Sequence, residues 1–167
     1  ALGCTQLNCL AGIKPAHRDP LDARETFIKN LQYAAPRLKA AGIKLLIEAI
    51  NTRDIPGFFL NHSAQAFDII KAVGSDNLFF QYDIYHMQIM EGDVIRTIQD
   101  YHHHFAHYHT AGNPGRRDMD DTQELNYPPI CRAISATGYQ GFVGHEFMPK
   151  GDLVAALEAA FHLCDVE

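Results

Sequence analysis

Four apolar runs that each finish on a side chain able to bind metal constrain this sequence more than any other feature. Leu45-Leu46-Ile47-Glu48, Phe79-Phe80-Gln81-Tyr82-Asp83, Phe105-Ala106-His107-Tyr108-His109 and Gly141-Phe142-Val143-Gly144-His145-Glu146 deliver Glu48, Asp83, His109 and Glu146 in turn. Short apolar runs bounded by turn residues read as parallel strands covered on both faces. Four ligand-type residues near four such strand ends suggest one metal site.

The intervening stretches read as helices. A first strand is expected over Leu2 to Leu10, followed by a helix from Asp22 to Ala41 in which Phe27, Leu31, Ala34, Ala35 and Leu38 recur at helical spacing and Gly42 is the stop. The next strand covers about Ile43 to Ile50, and Ser63 is placed to cap a helix through Val73 that ends at Gly74. A strand from about Leu78 to Asp83 is expected to run into a loop, Ile84-Tyr85-His86-Met87. Asp93 then opens a helix carrying Val94, Ile95, Ile98 and Tyr101, and a strand follows from Phe105 to Thr110. A turn-rich loop extends from Ala111 to Asn126, Pro128 and Pro129 start a helix that Gly138 stops, and a strand ends at Glu146. The last helix, Asp152 to Cys164, is expected to turn Leu153, Ala156, Leu157, Ala160 and Phe161 inward.

Strand followed by helix, five times over, means a parallel sheet with right-handed crossovers. Chemistry at the ends of several different strands favours a (β/α)₈ barrel over an open doubly wound sheet, which gathers its site at one switch point. A full barrel takes about 250 residues, and this chain has 167. The expectation is therefore an α/β fold of the TIM-barrel type, one domain over residues 1–167, forming the C-terminal portion of a barrel whose first three βα units are absent from this chain.

A hydrophobic content of 47% suits a single substantial core, and a net charge of -6 disfavours phosphate backbones and anionic membrane surfaces. Neither nucleic acid nor membrane is expected as a partner. Cys4, Cys9, Cys131 and Cys164 lack CxxC spacing, and no signal-like start or membrane-length apolar run is present. These features read as a reduced, cytoplasmic protein whose cysteines serve as small hydrophobes.

Taken singly, a carboxylate at a strand end is an ordinary surface or ion-paired group; four ligand types in register carry more weight. Three oxygen donors and one imidazole suit Mg²⁺ or Mn²⁺, with Zn²⁺, Co²⁺ and Fe²⁺ as alternatives. His102, His103 and His104 sit together at an expected helix end, a solvated position that the helix dipole favours, and are not read as ligands. His107 and His109 alternate on one strand and so share a face; His109, nearer the end, takes the metal and His107 an interior place. His86, three residues after Asp83, could donate to a substrate oxygen. Arg116, on a flexible loop, could hold a carboxylate through both arms of its fork, whereas Arg117 reads as a surface group. Gly112-Asn113-Pro114-Gly115 lacks the GKS/T ending of a phosphate loop.

These residues resemble the hydroxypyruvate isomerase family, within the xylose-isomerase-like group of TIM barrels that also holds ketose 3-epimerases and endonuclease-IV-like enzymes. The resembling motifs are Leu46-Ile47-Glu48-Ala49-Ile50-Asn51-Thr52-Arg53-Asp54-Ile55-Pro56-Gly57, Gln81-Tyr82-Asp83-Ile84-Tyr85-His86, Ala111-Gly112-Asn113-Pro114-Gly115-Arg116, Glu124-Leu125-Asn126-Tyr127-Pro128, and Gly138 through Phe147. The resemblance implies a divalent metal on Glu48, Asp83, His109 and Glu146. It gives Glu48 and Glu146 the added part of acid and base, and makes His86 and Arg116 substrate contacts. The implied activity interconverts hydroxypyruvate and tartronate semialdehyde through an enediolate. Two departures stand out. Hydroxypyruvate isomerases often carry Gln where His109 stands, as ketose epimerases do not, and Ala49 occupies a place commonly held by Pro.

The alternatives are a ketose 3-epimerase using the same site and an endonuclease-IV-like hydrolase, which needs several zinc ions and a basic face that the net charge opposes. Another class is an inactive partial barrel that associates with a second copy or a partner through its open sheet edges. A small-molecule substrate and a homo-oligomer are the expected partners.

Overall fold

Leu45, Leu46 and Ile47 are all buried, as a strand covered on both faces requires. They form the middle of β2 (Lys44–Glu48) in a computed structural model that describes residues 3–166. Leu2, the expected start of the first strand, lies outside the described residues. The chain divides into two units, the first ending at Tyr82 and the second beginning at Asp83.

In the first unit, β1 (Gln6–Asn8), β2 and β3 (Leu78–Asp83, whose last residue opens the second unit) run parallel. The register pairs Leu7 with Leu45, and Glu48 with Gln81. β1 is three residues long, far shorter than the run from Leu2 to Leu10 suggests, because Leu7 and Leu10 find no cover and remain exposed.

Helix α1 (Pro20–Ala40) starts two residues before the expected Asp22. Asp19 caps it by accepting from Leu21 N at 2.7 Å, and Pro20 enters at the first turn, where a missing N–H costs nothing. Its buried stripe is Phe27, Ile28, Leu31 and Ala35. α2 (Ser63–Val73) buries Ala66, Ile69, Ile70 and Val73 and ends, as expected, on Gly74 in the left-handed conformation, φ 67°. His62, not Ser63, holds the N-cap position.

The second unit contains β4 (Phe105–Thr110) and β5 (Val143–His145), paired in parallel with His109 beside Gly144. Around them lie α3 (Ile84–Met90), α4 (Val94–Tyr101), α5 (Tyr127–Ala136) and α6 (Leu153–Cys164), with His102–His104 as one 3₁₀ turn after α4. Two expectations need correction here. Residues 84–87 are helical rather than a loop, because Asp83 Oδ1 accepts from His86 N at 3.1 Å and so caps α3 with no turn between strand and helix. α6 turns Ala160 inward as expected, but Leu153, Leu157 and Phe161, expected beside it, are exposed, as is Val154. Nothing among the described residues packs over that face. No helix among the described residues is long and apolar enough to cross a membrane.

Candidate functional site

Asp83 is 1% exposed and divides its carboxylate between two tasks. Oδ1 caps α3, while Oδ2 lies 3.3 Å from Arg116 Nη2, 3.6 Å from His86 Nε2 and 3.8 Å from His109 Nδ1. His109 in turn holds Glu146, its Nδ1 being 2.8 Å from Oε2. The strand ladder delivers Glu146 to that place: its backbone N donates to Thr110 O at 3.0 Å, one residue beyond the end of β5.

Gly144 makes the approach of the histidines feasible. A Cβ there would lie 3.0 Å from His109 Cδ2 and 3.2 Å from His107 Nε2, closer than ordinary contact. His107 and His109 therefore lie over the same glycine, as their alternation predicts, with ring centroids 4.9 Å apart. Burial, and next the neighbouring His109, lower the pKa of His107, while Glu146 opposes them. Its buried Nδ1 meets no hydrogen-bond partner among the described residues.

Arg116 closes the group from the loop after β4. It stands in the left-handed region at φ 55°, a strained place for a side chain with a Cβ, and is held by the bonds around it. Nε donates to Glu146 O at 3.1 Å, Nη2 to Glu146 Oε2 at 2.7 Å, and the Arg116 carbonyl accepts from Met148 N at 2.8 Å. The loop is thus pinned rather than flexible. Gly112 and Arg117 exchange backbone bonds across its neck, and Asn113 donates to Glu124. The bond from His109 holds the Glu146 carboxyl below the usual carboxylate range against its partial burial, with the charges of Arg116, His109 and His86 adding to it.

One ligand atom from each of Asp83, His109 and Glu146 lies within 4.8 Å of the others. Donors on opposite sides of an ion bound at about 2.0–2.4 Å stand roughly 4–5 Å apart, so the trio matches the span of a single divalent ion. Two carboxylates and an imidazole form a hard donor set of the Mg²⁺ or Mn²⁺ kind, which the other first-row divalent ions also accept.

Glu48 belongs to the first unit, at the end of β2, and is buried. Its Oε2 accepts from Asn8 Nδ2 at 2.6 Å and from Gln81 Nε2 at 2.9 Å. His86 lies 1% exposed in α3, its ring against Tyr85 and the Asp83 carboxylate, and not on an open loop. Arg117 is exposed, as expected.

Sequence reasoning missed four supporting residues. Asn8 and Gln81 orient Glu48; the one available signal was that Gln81 precedes Asp83 by two and so shares its face. Tyr127 donates to Ala111 O at 2.7 Å and accepts from Ala111 N at 3.0 Å, fixing the point where β4 becomes the Arg116 loop. Lys150 Nζ donates to Asp120 at 2.8 Å and Thr122 at 2.6 Å, which ties the chain after β5 to the far side of that loop.

A family model described as a xylose isomerase-like TIM barrel matches residues 1–163. The chain is 42% identical over 157 residues to hydroxypyruvate isomerase of Escherichia coli (strain K12), covering 94% of this chain and 60% of that protein. It is 40% identical over 156 residues to 2-oxo-tetronate isomerase of Cupriavidus necator, covering 93% and 60%. Among solved structures, one titled AP endonuclease, family 2, from Brucella melitensis superposes with a TM-score of 0.91 at 39% identity, over 96% of this chain and 61% of that one. The chain thus spans about 60% of the length of the curated relatives it matches.

Proposed function

This chain belongs to the xylose isomerase-like TIM barrel family, and from that premise we propose a metal-assisted isomerase of a short hydroxy-keto acid, of the hydroxypyruvate or 2-oxotetronate kind. The convergence of Asp83, His109 and Glu146 on one another carries the reading. Relatives named for those two substrates support the choice of acid.

In the proposal, Glu48, Asp83, His109 and Glu146 hold a divalent ion. Glu48 joins the set because the Gln81 that orients it stands two residues before Asp83 on the same strand, hence on the same face. A bound ion would supply Lewis acidity to the substrate's carbonyl, the function that hard divalent ions serve in such chemistry.

The rest of the reaction falls to the chain's own residues. Moving a carbonyl to the neighbouring carbon requires one base to remove a proton from the hydroxyl-bearing carbon and one acid to protonate the former carbonyl carbon. Glu48 and Glu146 are assigned these two parts. Their surroundings differ as such a pair requires: Glu48 is buried and held by two neutral amides, whereas Glu146 is half exposed and held by an imidazole and a guanidinium. Arg116, with its fork already fixed on Glu146, is placed to orient that carboxylate and to receive the anionic end of the acid. His86, beside Asp83, is assigned the substrate's oxygen.

The test is proton exchange in D₂O followed by NMR, with Mn²⁺ added and with chelator. Hydroxypyruvate or 2-oxotetronate should take up deuterium beside its carbonyl only with metal. Uptake by free ketoses alone would replace the reading with a ketose 3-epimerase. Failure of calorimetry to show Mn²⁺ binding to the protein would overturn both.

A further inference from the structure

Away from the carboxylates, α5 and α6 bring two cysteines together. Cys131 lies on α5, buried, and Cys164 is the last residue of α6, half buried. Both line one cavity of about 220 Å³, whose other walls include Ile134, Val143 and Phe161. Each thiol is the strongest influence on the other's ionisation, as two groups lining the same small space require.

We propose that Cys131 and Cys164 are a modification site that closes to an intramolecular disulfide when the folded protein meets hydrogen peroxide. Three observations carry this. The two cysteines already line one cavity where α5 and α6 pack together, so closure needs no long search of conformations. They share a cavity large enough to admit a peroxide molecule. The helix that the bridge would tether is weakly held, with Ala160 buried and Leu153, Val154, Leu157 and Phe161 exposed.

The electrostatics assign the order of events. Cys164 holds the Cys131 thiol below its usual range against the opposing effect of burial, with the charge of Arg132 adding to it. Cys131 and burial push Cys164 up. Cys131 is therefore the nucleophile and Cys164 the resolving thiol. The Cys131 thiolate attacks one peroxide oxygen; an S–O bond forms, the O–O bond breaks, and the hydroxide released takes up the proton that Cys131 had lost. Cys164 sulfur then attacks Cys131 sulfur, the S–O bond breaks, and hydroxide departs as water with the Cys164 proton. Two thiols lose two electrons to one peroxide and two waters form.

The experiment treats folded protein with hydrogen peroxide, removes the excess with catalase, unfolds the chain and alkylates with N-ethylmaleimide before mass analysis. With four cysteines in the chain, two labels are expected after oxidation in place of four, and proteolysis should release the Cys131 and Cys164 peptides joined. Cys4 and Cys9 should label fully and serve as internal controls. In Cys164→Ser, dimedone should trap a sulfenic acid at Cys131, and hydrogen exchange of α6 amides should slow only in the oxidised wild type. Four labels after oxidation, or a bridge involving Cys4 or Cys9 instead, would overturn the proposal. So would a Cys131–Cys164 bridge that forms as fast in urea as in the folded protein, since folded proximity would then have no part in it.

Discussion

Arg116 grips Glu146 at two points, donating from Nε to its carbonyl at 3.1 Å and from Nη2 to its carboxylate at 2.7 Å. A planar fork fixed at both ends sets the direction of the carboxylate as well as its charge, which a lysine ammonium cannot reproduce. Arg116→Lys should therefore keep Mn²⁺ binding within about threefold, but raise KM for the acid substrate at least ~10-fold, the scale of one lost charge-assisted bond. Steady-state kinetics beside calorimetry checks this. Unchanged KM would remove Arg116 from substrate binding.

Asp83 caps α3 and, in the proposed site, would also be a metal donor, and one substitution separates the two functions. Asparagine caps as well as aspartate but lacks the charge. Asp83→Asn should leave the circular dichroism spectrum and α3 intact while lowering Mn²⁺ affinity by more than the ~10–100-fold that loss of an outer partner costs. Equal affinity in the variant would show that the ion binds elsewhere.

How far the sequence displays this arrangement depends on which interactions a residue's own neighbours determine. β2 is visible because a strand buried on both faces needs apolar residues in succession, and Leu45, Leu46 and Ile47 supply them. α3 is hidden because Asp83 ends a strand and caps a helix in one residue, leaving no turn residues to mark the change. The bonds from Asn8 and Gln81 to Glu48 depend on the register of β1 and β3 against β2, which the sequence does not write. In α6 the periodicity shows which side is apolar but not what covers it, and that side stands exposed.

The depressed pKa of Glu146 has a consequence for stability in the metal-free protein. A carboxyl whose folded pKa lies below its unfolded value stabilises the fold above the unfolded value, and loses that contribution as pH falls through the folded one. Wild type should therefore melt above Glu146→Gln near pH 6, with the gap closing below about pH 4. The side chain is 55% exposed, so screening keeps the difference under ~1 kcal/mol. Melting curves across pH, at low and high salt, measure it. A gap that widens in acid would reverse the assignment of the stabilising partners.

Gln81→Leu isolates the support beneath Glu48. It removes an amide that donates to Oε2 at 2.9 Å and substitutes an apolar side chain of similar size in a buried place. Glu48 would keep its bond from Asn8 but lose the bond from Gln81 that helps fix its direction. Proton exchange at the substrate carbon should fall about 10–100-fold, the cost of losing a partner behind a ligand. Exchange at the wild-type rate would mean that the carboxylate keeps its direction without the Gln81 amide.

Tyr127 tests the fixing of the loop without touching any donor atom. Its hydroxyl both donates to and accepts from the backbone of Ala111, and both residues are buried. Tyr127→Phe keeps the ring, hence the packing of α5, but leaves a buried N–H and a buried carbonyl without that partner. An unsatisfied buried group costs about 1–3 kcal/mol, and a partial rearrangement of Ala111 would recover some of it, so a loss of ~2–4 kcal/mol is expected. The urea midpoint should drop with an unchanged slope, because the surface exposed on unfolding stays the same. Mn²⁺ affinity should hold within about threefold in the folded variant, since Asp83, His109 and Glu146 are placed by β3, β4 and β5 and not by the hydroxyl. A loss below ~0.5 kcal/mol would show that Ala111 re-pairs with water or another group, and that the hydroxyl does not fix the start of the loop.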